Sequence, residues 1–258
     1  MRLRPLLVTL AATGAALAGC GGSASGPTSS NNVTSKTASG IVTAAVNATK
    51  QQSSFHFEED AVQPTSTVTL IGDIGKTSAQ QAITVTSGKT SGHVTLLLAN
   101  GVVYFRADVL GLQSFSQFTA AQAAKYANKW ISVSSADNGY HSLIGTLTVS
   151  NAATQLVKLP GTMTKGGTSV QGGIPVVAVD TAQTSSSGTL SITMYVQTTG
   201  PALPVKVTAI SKTTPTSSSP TVSGTREVTA TFSKWNEPVN VVAPKNAVPI
   251  ATALPAAG

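Results

Sequence analysis

The chain has 258 residues, only 10% of them charged, and its 16 Lys and Arg against 9 Asp and Glu give a formal net charge of +7. Beyond Arg2 and Arg4 the basic residues are scattered from Lys36 to Lys245 with no block of like charge and no interleaved aromatics, which argues against a nucleic-acid groove. Ser, Thr, Ala, Val and Gly dominate, a composition of strands and extracytoplasmic surfaces rather than of a charged helical bundle.

The chain opens with Arg2 and Arg4, then an uncharged Leu- and Ala-rich run from Pro5 to Ala18, then Leu17-Ala18-Gly19-Cys20. The run is too short to span a bilayer, and its order of charge, apolar stretch and small residues is that of a secretory signal. The last four residues resemble the lipobox of bacterial lipoproteins, in which the thiol receives a diacylglyceryl group and the peptide is cut just before it. Cys20 is the only cysteine, so it has no disulfide partner within the chain and reads as a lipid anchor. The signal with its lipobox spans residues 1–20, and a cut before Cys20 would remove Arg2 and Arg4 and leave a mature net charge of about +5. Residues 21–35 are rich in Gly, Ser, Asn and Thr, which predicts a flexible spacer with a reach of roughly 20 Å.

Residues 36–52 place Ile41, Ala45 and Ala48 on one stripe with Val42 and Val46 beside it, the spacing of an amphipathic helix. After Gln52 the period becomes two. Val68, Leu70 and Ile74, then Ile83 and Val85, then Val94, Leu96 and Leu98 alternate with polar residues, each run a strand with one apolar face. Asn100-Gly101 joins the last of these to Val102-Val103-Tyr104-Phe105-Arg106, a hairpin signal because both central residues must accept positive φ.

From Asp108 to Leu159 that rhythm stops. Thr119-Ala120-Ala121-Gln122 fits a capping box at a helix start, Trp130 to Val133 reads as a short extended piece, and Tyr140 to Leu159 as a helical stretch ended by Pro160. Strand spacing returns at Gly161 with Val177 and Val179, then Leu190, Ile192, Met194 and Val196, then Val205 and Val207, then Val228, Ala230 and Phe232. The Pro- and Ala-rich end from Asn246 reads as a disordered tail. The order helix, sheet, helical insert, sheet predicts an α+β domain over 36–245, a curved antiparallel sheet with helices on its concave face.

The lipobox, the helix before a strand meander, Val103-Tyr104-Phe105-Arg106, Lys129-Trp130-Ile131-Ser132-Val133 and the run Phe232-Ser233-Lys234-Trp235-Asn236-Glu237-Pro238-Val239-Asn240-Val241-Val242-Ala243-Pro244 resemble the LppX/LprAFG family of mycobacterial and related actinobacterial lipoproteins. The resemblance covers roughly residues 36–244. It implies the half-barrel fold of the carriers LolA and LolB, with strands wrapped over helices around an apolar cavity. It also implies binding of acylated lipids or glycolipids, movement of them in the cell envelope, and an envelope transporter as a candidate partner. On the strand faces Leu70, Ile83, Val94, Leu96, Leu98, Val103, Phe105, Val177, Ile192, Met194 and Val205 are candidates to line such a cavity, and packed core is the alternative for each. The Thr213 to Pro220 loop is longer and more polar than a tight hairpin and reads as a solvent loop, with a flap or partner surface as the other readings.

Catalytic signatures are missing. Gly75-Lys76-Thr77 and Gly88-Lys89-Thr90 end like a phosphate-binding loop, but Leu70 and Ile83 stand where its leading glycine belongs. His56, His93 and His141 are far apart in sequence and fit no metal spacing, and Glu58-Glu59-Asp60 beside His56 reads as a solvated edge because strand neighbours face opposite sides. Trp130 and Trp235 could border a lipid mouth, although packing under a loop is the plainer use. No enzyme activity, metal or cofactor is expected. The sequence thus predicts a monomeric lipoprotein held at the extracytoplasmic face of the cell membrane through Cys20 and binding an acylated lipid or glycolipid. The other reading is a ligand-free envelope assembly factor or sensor.

Overall fold

The computed structural model describes residues 31–254 other than 116–117, 157–158, 186–187 and 214–223. A 3-10 turn over Val33–Ser35 leads into α1 (Ala38–Gln51). The Thr37 hydroxyl caps α1 by accepting from the Gly40 N–H at 3.2 Å, and Ile41, Val42, Ala45 and Val46 are buried along the expected stripe. Residues 31–35 depart from the predicted spacer. Asn31 donates to the Thr198 and Gln197 carbonyls and Val33 is buried, so the polar run ends in a docked segment.

Five strands follow: β1 (Ser54–Gln63), β2 (Ser66–Gly75), β3 (Ala79–Ser87), β4 (Thr90–Ala99) and β5 (Val102–Ala107). They pair as consecutive antiparallel neighbours. The β4–β5 turn has Asn100 at φ 53° and Gly101 at φ 74°, the conformation that selects these two residues. The insert contains α2 (Val109–Phe115), α3 (Ala120–Tyr126), β6 (Ile131–Val133), α4 (Tyr140–Ile144) and α5 (Val149–Leu156). At the start of α3 both capping-box bonds are present. The helical stretch predicted from Tyr140 onward is two helices rather than one. Gly145 ends α4, and the Thr146 hydroxyl donates back to the Leu143 carbonyl at 2.9 Å, a local bond that competes with helix propagation.

A second meander comprises β7 (Thr162–Gln171), β8 (Ile174–Ser185), β9 (Gly188–Gln197), β10 (Pro204–Thr213) and β11 (Gly224–Ser233). β11 pairs antiparallel with β1 and so joins the two meanders. The chain then returns as β12 (Val248–Pro249), parallel to β6, and α6 (Ile250–Ala253). The result is one open, curved sheet of 12 strands in the order β12-β6-β5-β4-β3-β2-β1-β11-β10-β9-β8-β7. The disorder predicted from Asn246 is therefore corrected for its first part. The Val248 N–H bonds the Trp130 carbonyl at 2.8 Å, and Ala253 is buried, because β6 would otherwise leave a short unpaired edge.

Two apolar clusters fill the helix-covered face. The first gathers inner residues of β1 to β6 with Leu112, Phe118, Ala123, Tyr126, Tyr140, Leu147 and Val149. The second sets Val33, Ile41, Val42, Ala45 and Val46 on Val177, Val179, Met194 and Val196.

Candidate functional site

Strand alternation and the pairing register fix which side chains share the inner face. One row crosses the sheet from Ile83 through Leu70, Glu59, Ala230, Val207 and Met194 to Val179. The adjacent row runs from Val85 through Val68, Ala61, Val228 and Ala209 to Ile192. All the cavity candidates except Leu70 are buried. Ile83, Val94, Leu96, Leu98, Val103 and Phe105 belong to the first cluster, with the half-buried Leu70 packed beside it. Val177 and Met194 belong to the second. Most of the candidates therefore fall into two packed groups, and Ile192 and Val205 are buried outside both.

Between those groups the inner face is less covered. Leu70, Val85, Val228, Val207, Ala209 and Leu190 are only half-buried, although they sit in the middle of the sheet. They form an apolar strip across β3, β2, β11, β10 and β9.

Two charged side chains enter this strip. Glu59 faces inward between Phe57 and Ala61, directly opposite Ala230 of β11 and Leu70 of β2. Arg226 lies on the same face of β11, two inward positions beyond Ala230 and next to Val228. Burial pushes the Glu59 carboxyl up to about 7, against the pull of Arg226 and with a further push from Asp60. Burial likewise lowers the Arg226 guanidinium, while Glu59 acts to raise it. The Nε and Nη2 atoms of Arg226 are buried and have no hydrogen-bond partner among the described residues. Glu59 belongs to the acidic run predicted to be a solvated edge. The structure splits that run: Glu58 and Asp60 are exposed, and Glu59 is half-buried on the opposite face. The alternation Phe55, Phe57, Glu59, Ala61 carried that signal.

A model of the LppX_LprAFG lipoproteins matches residues 37–241. The chain belongs to the LppX/LprAFG lipoprotein family. Among solved structures it is similar to lipoprotein LppX of Mycobacterium tuberculosis, at 17% identity over 80% of this chain and 98% of that one, with a TM-score of 0.49. It is also similar to LprF of Mycobacterium bovis, at 15% identity over 80% of this chain and 96% of that one, with a TM-score of 0.48. No curated protein matches the chain.

The LppX/LprAFG match ends inside the run after β11, and the structure shows what that run does. Trp235 lies 5.3 Å from Phe55 and 6.4 Å from Phe232, ring centre to ring centre, which closes one end of the first cluster. Asn236, at φ 65°, accepts from the Ser53 N–H at 2.8 Å and donates to Gln52 at 2.6 Å. Ser54 and Ser78 donate to the Glu237 and Val239 carbonyls. Trp235 thus has the packing role. Trp130 receives the Arg106 guanidinium over its ring at 4.9 Å.

Two clefts of about 550 and 320 Å³ accompany this fold, and none of the predicted cavity candidates lines either. His93, Thr95, Arg106, Asp108 and Asn128 line the larger. His56, Asp73, Gln80 and Lys234 are in the smaller. There His56 Nδ1 is 2.7 Å from Asp73 Oδ1, and Gln80 donates to Asp73 Oδ2 at 2.8 Å. Burial acts to raise Asp73, but the bonds from Gln80 and His56 and the charges of His56 and Lys234 hold it below the usual carboxylate value. His56, His93 and His141 are not brought together into a metal-binding group, and among the described residues there is no such group. No helix among the described residues is long and apolar enough to cross a membrane. Cys20 and most of the Thr213 to Pro220 loop lie outside the described residues.

Proposed function

We propose that this LppX/LprAFG lipoprotein is tethered to the extracytoplasmic face of the cell membrane through a diacylglyceryl group on Cys20. It binds an acylated lipid or glycolipid along the half-buried strip of its inner face and carries it within the envelope. Family membership over residues 37–241 is the observation that carries the reading. The strip supplies the physical means. Sequestering an acyl chain is worth ~0.8 kcal/mol per methylene before ordering costs, and Leu70, Val85, Val207, Val228 and Ala209 offer apolar surface that the helices leave partly open. The chain between Cys20 and the docked Asn31 lets the domain work close to the bilayer.

Two measurements test this. Growth with an alkyne-bearing fatty acid should label the wild-type chain and not Cys20→Ala, which should also leave the membrane fraction. Native mass spectrometry with organic extraction should recover lipid from the wild-type chain and much less from Ala209→Trp, whose indole would fill the strip. Lipid-free protein that also refuses a pyrene-labelled diacylglycerol would overturn lipid carriage. The tight packing of the two clusters would then favour the ligand-free envelope role.

A further inference from the structure

Glu59 and Arg226 are the charged side chains of the strip, and an apolar trough built only for hydrocarbon has no use for either. On the strands flanking Glu59 the inner face is otherwise uncharged: Ser66, Val68, Leu70, Gly72 and Ile74 on β2, and Gly224, Val228, Ala230 and Phe232 beside Arg226 on β11. Beyond β11, β10 presents Val207, Ala209 and Ser211. Asp60 and Glu227 point to the other face. Lys165 on β7 faces inward, but its ammonium is used by the Thr34 carbonyl. The positive charge left to the strip is Arg226.

The two unsatisfied donors of Arg226 are Nε and Nη2. They form one edge of the guanidinium, with parallel N–H bonds spaced to meet two oxygens of a phosphate or carboxylate. Glu59 does not fill that place, since no direct ion pair joins the two residues, and its carboxyl feels the guanidinium only through charge. Leaving charged donors buried without an acceptor is costly, and an anionic oxygen pair would relieve that cost.

We propose that the Nε–Nη2 edge of Arg226 binds the phosphate of an anionic lipid whose acyl chains lie along Leu70, Val85, Val207 and Val228, with Glu59 as a proton-linked selector beside it. This rests on the lipid-binding reading and names the ligand class. An ionised Glu59 repels the incoming anion, and a protonated one does not. Binding is therefore accompanied by proton uptake and strengthens as the pH falls through about 7, where this carboxyl titrates.

The test compares three probes on the full chain: pyrene-labelled phosphatidylglycerol, pyrene-labelled diacylglycerol with the same chains, and inorganic phosphate. The wild type should prefer phosphatidylglycerol, and Arg226→Leu should cut that preference about tenfold or more, the range of a charge-assisted hydrogen bond. Between pH 8 and pH 6 the affinity for phosphatidylglycerol should rise severalfold. Glu59→Gln should flatten that profile at its high end, which keeps the proposal testable if Arg226→Leu fails to fold. Equal binding of both lipids, unchanged by Arg226→Leu, would overturn the anion site while leaving lipid carriage intact. Binding of neither lipid would overturn both. Phosphate bound alone, without lipid, would show a free-anion site and overturn the lipid assignment.

Discussion

The β1–β6 half of the sheet is covered by several short helices and filled with rings: Phe55, Phe57, Phe105, Phe118, Tyr126 and Tyr140 are buried there. The β8–β9 half is covered by a single helix, α1, together with the preceding 3-10 turn, and its core is aliphatic. The first half fills irregular space with large rigid groups, edge to face where Phe105 meets Phe118 at 6.4 Å and 81°. The second lays one regular stripe on one regular sheet face. The strip with Glu59 and Arg226 lies on the sheet between the two clusters, while α1 and α5 pack against each other above it.

The difference makes the halves separable by core truncation, with the largest effects of any substitution. Phe105→Ala should cost about 3–5 kcal/mol, and Ile41→Ala about 2–5 kcal/mol. Trp130 and Trp235 both report on the first half. If the continuous sheet makes one cooperative unit, Ile41→Ala lowers the tryptophan-fluorescence and far-UV transitions together, and the two substitutions add within about 0.5 kcal/mol. A tryptophan transition that stays in place while the far-UV signal shifts would show that β8–β9 and α1 unfold on their own.

The middle strip gives the next largest effect. The Glu59 carboxyl is raised from 4.5 to about 7 in the fold, so the folded chain holds a proton that the unfolded chain releases earlier. Stability from this group is full below pH 4.5 and is lost as pH rises through 7. The shift corresponds to about 3 kcal/mol over that window. Glu59→Gln should remove this slope from denaturation midpoints measured between pH 5 and pH 8. A slope that survives the substitution would place the titration elsewhere and would deny that the strip is a low-dielectric seam between the halves.

How much of this was legible differs between the halves for the same physical reason. The α1 stripe of Ile41, Val42, Ala45 and Val46 follows helical periodicity, and β2 to β5 alternate so regularly that the strands and the Asn100-Gly101 turn are legible locally. The insert could not be read so well. Its short helices take their direction from tertiary contacts rather than from a long periodic face, and the break at Gly145 to Thr148 depends on a side-chain bond to Leu143. The pairing in the first part of the tail is not legible because two paired residues, Val248 and Pro249, are too few to show a period. In the site, strand alternation makes the inward face of most apolar candidates legible, and the register shift at Pro204 to Lys206 is the exception around Val205. The division of most candidates between two packed clusters is not legible, because it depends on which helix lands where. Glu59 was obscured by its neighbours: a carboxylate between Glu58 and Asp60 looks solvated until the pleat separates them.

The caps provide the finest contrast. Thr37 accepts from the Gly40 N–H at 3.2 Å and Thr119 from the Gln122 N–H at 3.3 Å, so removing either hydroxyl costs about 1 kcal/mol locally. Their consequences should differ, because α1 covers the second cluster almost alone while α3 shares the first with α2, α4 and α6. Thr37→Ala should therefore carry its full cost into global stability and speed amide exchange in β8 and β9 as well as in α1. Thr119→Ala retains the second capping-box bond, from the Thr119 N–H to Gln122 Oε1 at 2.9 Å, and should loosen α3 with less change in the exchange of β4 and β5. Equal spread of exchange into the sheet from both substitutions would mean that the many-helix covering is no more redundant than the single helix.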